Sequence, residues 1–239
     1  MIQYGRWAGH QDLPPADYFL TAKIEALGRS VYSFCMCPGG SVIGCSAEAG
    51  GVITNGMSGF RRDSPCANSA VVVNVRVEDL GEDGPLAGLV FRRRWEERAF
   101  RAGGGDYCAP AQRLTGFLSG KDHSPAGRCS FLPGVRDADL AAVLPAFVVE
   151  ALKRGFMEFE RKMPGFITAE AHLIGVETRT SSPVRILRGE DGQCMNVEGI
   201  FPCGEGAGYA GGIVSSALDG IRAAERLLLF EGGRSGHRG

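Results

Sequence analysis

Residues 201–213 read Phe201-Pro202-Cys203-Gly204-Glu205-Gly206-Ala207-Gly208-Tyr209-Ala210-Gly211-Gly212-Ile213, and the architecture of the last third of the chain turns on this stretch. Gly206-x-Gly208-x-x-Gly211 matches the dinucleotide fingerprint in form. Residues 199–203 are apolar enough for a strand ahead of it, and Ile213, Ala217, Ile221, Ala224 and Leu228 recur at helical spacing behind it. The pattern predicts strand, glycine loop and helix in that order. A complete nucleotide-binding βαβ unit needs a second parallel strand soon after the helix, ending in an acidic residue for the ribose hydroxyls. Here the helical pattern passes from Phe230 into Gly232-Gly233-Arg234-Ser235, so the motif is not the ADP-binding turn of a self-contained domain. Its chemistry survives that objection. Backbone N–H groups at a helix start, unshielded by side chains, favour negative or electron-rich atoms. Glu205, at the turn, is placed to accept hydrogen bonds from ligand hydroxyls.

Two further strands, over 171–176 and 184–187, are expected just before this loop. Earlier in the chain, segments 31–37, 41–46, 51–55 and 70–77 are rich in β-branched and aromatic residues. They are separated by Pro38-Gly39-Gly40, Ala49-Gly50-Gly51 and an Asn-containing polar loop, an antiparallel-sheet pattern. From Pro85 to Arg101, Leu86, Leu89, Val90, Trp95 and Phe100 fit one face of a helix, closed by Gly103-Gly104-Gly105. A short helix is expected over 110–118. Helix follows over 137–163, divided at Pro145 and stopped before Pro164-Gly165. Residues 1–25, with Leu13-Pro14-Pro15, read as an irregular entry arm, and 232–239 as a disordered tail. The expected class is α+β or α/β. A domain of antiparallel sheet plus helices spans 26–165, and 166–231 supplies the strands and helix of a second, two-layer domain.

A formal charge of −1 with scattered Lys and Arg excludes a nucleic-acid face, which needs basic residues concentrated on one side. Apolar runs such as Leu227-Leu228-Leu229-Phe230 are far shorter than the roughly 20 residues that cross a bilayer, so no membrane span is expected. The opening Met1-Ile2-Gln3-Tyr4 has no basic or apolar leader pattern, and the cytoplasm is the expected location. The eight cysteines lie in apolar contexts and read as reduced, mostly buried thiols instead of a disulfide framework. Cys35-x-Cys37-Pro38-Gly39-Gly40 lacks the second ligand pair that zinc wants, and His10, His123, His172 and His237 stand apart, so no metal site is expected. In strand geometry Cys35 and Cys37 share a face. A thiol pair beside a ligand and plain packing residues both remain open. Arg92-Arg93-Arg94 with Glu96-Glu97 reads as an exposed helix face with internal ion pairs.

The 201–213 stretch, with Gly175-Val176-Glu177-Thr178-Arg179-Thr180-Ser181-Ser182-Pro183-Val184-Arg185-Ile186, Val31-Tyr32-Ser33-Phe34-Cys35-Met36-Cys37-Pro38-Gly39-Gly40, Asn55-Gly56-Met57-Ser58 and Ala67-Asn68-Ser69-Ala70, resembles the bacterial FAD-dependent, or NAD(FAD)-utilising, dehydrogenases. The likeness spans residues 4–225. It implies an FAD-dependent oxidoreductase acting on a small-molecule substrate, with NAD(P) as electron donor or acceptor. Members of that family begin with a Rossmann-type FAD domain, so this chain is expected to be the carboxyl-terminal portion. The amino-terminal FAD domain, or a separate chain supplying it, would be its partner, and the chain by itself would be inactive. Gly204, Glu205, Gly206, Ala207, Gly208, Gly211, Gly212 and Ile213 would face the cofactor, and residues 26–165 would form a substrate lid. Arg179, with Glu177 and Thr180, would carry catalysis by stabilising a reduced flavin or clamping a carboxylate. Ser181, Ser182, Arg185, Cys35 and Cys37 would lie on the substrate side. The alternative is a non-enzymatic binding or assembly module that completes a flavoprotein with another chain.

Overall fold

A computed structural model describes residues 5–7, 10–121 and 129–235. The elements in chain order are β1 (Thr21–Ile24), β2 (Arg29–Cys37), β3 (Gly40–Gly44), β4 (Thr54–Ser58), β5 (Asn68–Val73), α1 (Ala87–Ala102), β6 (Ala109–Arg113), α2 (Leu114–Ser119), β7 (Val135–Asp137), α3 (Leu140–Val143), α4 (Ala146–Lys162), β8 (His172–Ile174) and α5 (Ile213–Ser235). The class is mixed α+β. Contacts divide the chain into two units, one of Met1–Asp79 and Arg92–Thr178, the other of Leu80–Phe91 and Arg179–Gly239.

The first unit carries the core. β1, β2 and β5 form an antiparallel sheet in which β2 is central, pairing Ala22 with Val31 on one side and Val31 with Val73 on the other. α4 lies against this sheet because its apolar residues repeat at helical spacing: Ala151, Leu152, Gly155, Phe156 and Phe159 are buried. Gly155 is where helix and sheet come closest, since a Cβ there would stand 2.7 Å from Val31 Cβ. Phe156 packs edge-on to Phe117 of α2 and Phe159 of its own helix, and Phe166 stacks on it at 6.1 Å. Offset and T-shaped arrangements of this kind add to the area that aromatic rings bury.

β3 and β4 form a separate antiparallel pair, and β7-β6-β8 is a mixed sheet with β6 in the middle. The expected helix over 110–118 is therefore half wrong, because its first part is the central strand β6 and only Leu114–Ser119 is helical. Pro110 misled the reading. It sits inside a strand because the β8 ladder begins only at Ala111 opposite Ile174, so the missing N–H falls outside it, while its carbonyl accepts from Gly175 N–H at 3.0 Å. The expected strand over 51–55 starts instead at Thr54. Val52 and Ile53 are buried, but their N–H groups go to the Glu96 carbonyl and the Ser46 hydroxyl, with no ladder alongside.

Helices α1, α3 and α4 lie where the periodicity puts them, with Pro145 as the break between the last two. On α1 Arg93 and Glu97 form the expected exposed pair at 2.9 Å. Glu96 departs from expectation. It is buried, one oxygen accepting from Thr178 Oγ1 at 2.7 Å and lying 3.1 Å from Arg92 Nε. No cysteine is in a disulfide, but none is fully buried either: Cys35 and Cys203 are exposed and the other six half-buried. No helix among the described residues is long and apolar enough to cross a membrane.

In the second unit the predicted strands over 184–187 and 199–203 are not formed. Among the described residues their backbone bonds are scattered, Ile186 N–H to Ala207 O, Met195 N–H to Leu187 O and Cys194 N–H to Ile200 O, with an isolated bridge between Arg188 and Cys194. A ladder needs a neighbour along its length, and neither segment has one. The helix behind the glycine loop is present and runs past the expected end to Ser235, so the tail predicted over 232–239 is helical in its first part; residues 236–239 lie outside the described residues.

Candidate functional site

The glycine loop of the second unit is built around an ion pair. Asp219 projects from the second turn of α5 and meets Arg188 in a two-pronged contact, Arg188 Nη1 to Asp219 Oδ2 at 2.9 Å and Nη2 to Oδ1 at 2.8 Å. Both side chains are mostly buried, 14% and 11% exposed. Arg188 Nη1 also donates to Pro202 O at 2.8 Å, and the guanidinium lies 3.7 Å from the centre of the Tyr209 ring. Gly204 N–H donates to Asp219 Oδ2 at 2.9 Å, which ties the start of the loop to the helix behind it. The Arg188 guanidinium, followed by the Gly204 N–H, lowers the Asp219 pKa from the ordinary carboxylate range to about 2, and the same contact raises that of Arg188.

Tyr209 closes the loop on itself. Its N–H donates to Gly204 O at 3.0 Å, and its hydroxyl donates to Ile186 O at 3.0 Å while accepting from Arg188 N–H at 3.2 Å. Arg185 Nε donates to Gly208 O at 3.0 Å and its guanidinium lies over the outer part of the Tyr209 ring. The Ser182 hydroxyl stands 2.9 Å from Val184 O and 3.2 Å from Gly206 O, sharing one proton between them. Segment 182–188 thus cradles one side of the loop, and α5 backs it.

The glycines divide by role. Gly208 has φ +82°, and a Cβ there would stand 2.5 Å from Val184 O, so it is glycine for the sake of the chain's own turn. Gly204, at φ +71°, is buried beside Ser216. Gly206 and Gly211 are exposed with nothing within 4 Å of where a Cβ would be. The loop therefore offers bare backbone outward at those two positions, at the amino end of a 23-residue helix. Bare backbone at a helix start favours an electron-rich group. Ala207 is buried, Glu205 and Gly212 are half-exposed, and Ile213 is the most exposed large apolar residue of α5.

Among the residues expected to act together, Ser182 and Arg185 are brought directly to the loop. Arg179, Thr180 and Ser181 belong to the same unit, Arg179 and Thr180 half-buried and Ser181 exposed. Glu177, half-buried, belongs to the first unit, as do Cys35 and Cys37. The strand alternation expected for the two cysteines is broken. Cys35 adopts φ +47° at a bulge between Phe34 and Cys37, and the Cys37 thiol reaches back to Cys35 O at 3.5 Å. His172, on β8, has a pKa lowered by burial and then by the Arg113 charge. His123 and His237 lie outside the described residues. Among the described residues no group of three or more His, Cys, Asp and Glu side chains is gathered as for a metal ion.

Sequence reasoning missed Arg188, Tyr209 and Asp219. A signal existed for one of them: Asp219 lies on the helix face opposite the apolar stripe, in phase with Ala223, Arg226 and Phe230. An acidic residue on the face that backs a glycine loop is a candidate anchor for it.

Comparison with known proteins places the first 180 residues in the family described as FAD-dependent protein, C-terminal domain-like, and the chain belongs to that family. The match ends two residues after the first unit does, at Thr178. The chain is also 46% identical over 228 residues, 95% of its length, to an uncharacterized protein of Clostridium beijerinckii. It spans 43% of that protein.

Proposed function

We propose that this member of the FAD-dependent protein, C-terminal domain-like family is the flavin-facing and substrate-side portion of an FAD-dependent oxidoreductase. The observation that carries the reading is the 204–213 loop, bare outward at Gly206 and Gly211 and held rigid from behind by Arg188 and Asp219. The flavin, when bound, supplies the electron chemistry. The loop contributes N–H donors fixed before any ligand arrives, so no reorganisation opposes binding. Glu205, at the outer turn, is the acceptor for ligand hydroxyls. Arg179 brings positive charge to the same unit, suited to a reduced ring or a substrate carboxylate, with Glu177 and Thr180 as its neighbours in sequence. Ser181, Ser182 and Arg185 orient the substrate side, and a nicotinamide nucleotide is the proposed exchange partner for electrons. The rest of the flavin site comes from polypeptide that the longer relative carries and this chain does not span.

Visible absorbance and flavin content of the assembled protein test the reading. Gly206→Val and Gly211→Val put side chains into open space, so the fold should persist while bound flavin falls at least tenfold. Arg179→Ala should retain flavin but slow its reduction. Full flavin occupancy in both glycine variants would remove the loop from the cofactor site.

A further inference from the structure

The turn that leaves β4 reads Gly59-Phe60-Arg61-Arg62, and with Pro15 and Ser58 it lines an open pocket of about 470 Å³, within the roughly 300–1,000 Å³ usual for small-ligand sites. Phe60 is fully exposed, and Arg61 and Arg62 are exposed beside it. A single ring or a single arginine in water needs no explanation. These three do, because the backbone beneath them is strained. Arg62 adopts φ +51°, a left-handed conformation that a long side chain rarely takes.

The turn is held in that conformation from below. Gly39, itself at φ +58°, lies so close that a Cβ there would collide with the Arg62 carbonyl. Arg62 N–H donates to Gly59 O at 3.1 Å, and the Ser58 hydroxyl donates to Pro38 O at 3.3 Å. Two turns are thus packed backbone to backbone, which limits how the upper one can move. Strained backbone of this kind persists where its surroundings hold it, and it gathers at ligand clamps.

The charge of the two arginines is also uncompensated. Elsewhere in the first unit Arg29, Arg93 and Arg136 are paired with carboxylates. Among the described residues Arg61 and Arg62 have no such partner, and Asp63, next in sequence, pairs with neither. Adjacent guanidiniums repel until an anion joins them, and the planar fork of each matches phosphate oxygens. A phosphate monoester brings between about 1.5 and 2 negative charges at pH 7, enough for both, whereas a carboxylate or a phosphodiester brings one. The Phe60 ring offers its face to a flat ring carried by the same ligand.

We propose that the pocket of Pro15 and residues 58–62 binds a small phosphate monoester bearing an aromatic ring, with the phosphate on Arg61 and Arg62 and the ring on Phe60. Mononucleotides and simple aryl phosphates share this chemistry. The site lies in the first unit and does not rest on the flavin reading, since FAD carries its phosphates as an internal diester.

Calorimetric titration of the chain with AMP, phenyl phosphate, adenosine, inorganic phosphate and FAD tests the proposal. AMP or phenyl phosphate should bind about tenfold or more tightly than adenosine, inorganic phosphate or FAD, and should weaken as salt is raised. The tighter of the two identifies the source. Arg61→Gln with Arg62→Asn removes both charges, and asparagine tolerates the left-handed backbone, so the turn should persist. This double variant should lose about tenfold or more in AMP affinity, together with the salt dependence, at an unchanged Tm. If it melts early, Arg61→Gln alone, at a position without positive φ, carries the same test. Phe60→Ala should weaken AMP about fivefold or more while leaving inorganic phosphate as it was. No binding at millimolar ligand, AMP no tighter than adenosine, inorganic phosphate or FAD, or arginine variants that bind AMP like wild type would each overturn the proposal.

Discussion

Asp219→Asn keeps the shape of the side chain and an oxygen for Gly204 N–H but removes the charge that Arg188 faces. With the carboxyl pKa lowered from 3.8 to about 2, the folded loop favours the ionised form by somewhat under two pKa units. At 1.36 kcal/mol per unit this is about 2 kcal/mol of stabilisation at neutral pH. The pair is only 14% and 11% exposed, so solvent screening removes little of it. The group's folded pKa is depressed, so its contribution is complete above the unfolded value and vanishes as pH falls through the folded one. Native-state hydrogen exchange is the direct assay, because the loop opens locally. A loss of about 2 kcal/mol accelerates exchange roughly thirtyfold at the Gly204, Gly208 and Tyr209 amides. Amides of β2 and α4 serve as the internal control and should not change. The gap between wild type and variant should hold above about pH 4 and close between about pH 4 and pH 2. Loop amides that exchange within twofold of wild type at neutral pH would refute the reasoning.

The two other backbone predictions concern glycines. Gly208→Ala forces a side chain to φ +82° and to 2.5 Å from Val184 O, so it should destabilise the second unit by about 1–3 kcal/mol, whereas Gly206→Ala should stay within about 0.5 kcal/mol; loop hydrogen exchange separates them. Gly155→Ala reverses the usual rule. In an exposed helix it would gain about 1 kcal/mol, but here the Cβ meets Val31 at 2.7 Å, so thermal melting should show a net loss of about 1–3 kcal/mol, and an unchanged or higher Tm would contradict the packing described for α4 and β2.

Much of the first unit was legible because its signals are local. β2 carries Val31, Tyr32 and Phe34 in a stretch bounded by Gly28 and Pro38, α4 repeats its apolar residues at 3.6 spacing, and Pro145 breaks the helix on schedule. Pro110 was misread because a proline at the start of an amphipathic stretch opens a helix far more often than it sits in a central strand. What decided the matter was partners on both flanks, β7 and β8, which begin 26 and 63 residues later than β6. In the second unit, apolar runs over 184–187 and 199–203 suggested strands, but a run states only that it prefers burial and not that a neighbour will supply a ladder. The loop was found because glycine spacing is written in the chain. Its anchor was not, since Arg188 and Asp219 lie 31 residues apart and neither belongs to a motif.

The two units are held by different physics, and acid separates them. Each contains a mostly buried arginine–aspartate pair. In the first, Arg29 Nη1 donates to Asp79 Oδ2 at 2.8 Å, and that contact, outweighing the opposing effect of burial and helped by the Arg76 N–H, lowers the Asp79 pKa. Protonation of these carboxylates, near pH 2 for Asp219, therefore weakens the pairs. The first unit still has the rings of Phe117, Phe156, Phe159 and Phe166 packed together, none of which titrates, and hydrophobic burial is indifferent to the change. Among its described residues the second has small buried side chains, Ala87, Ala207 and Ala223, and Phe91 to fall back on. Exchange measured at about pH 2 should thus find α4 and β2 amides still protected while those of 204–209 have lost protection. Simultaneous loss in both units would mean that the loop draws its order from the main core, and that the Arg188–Asp219 pair is an accessory to the second unit and not its foundation.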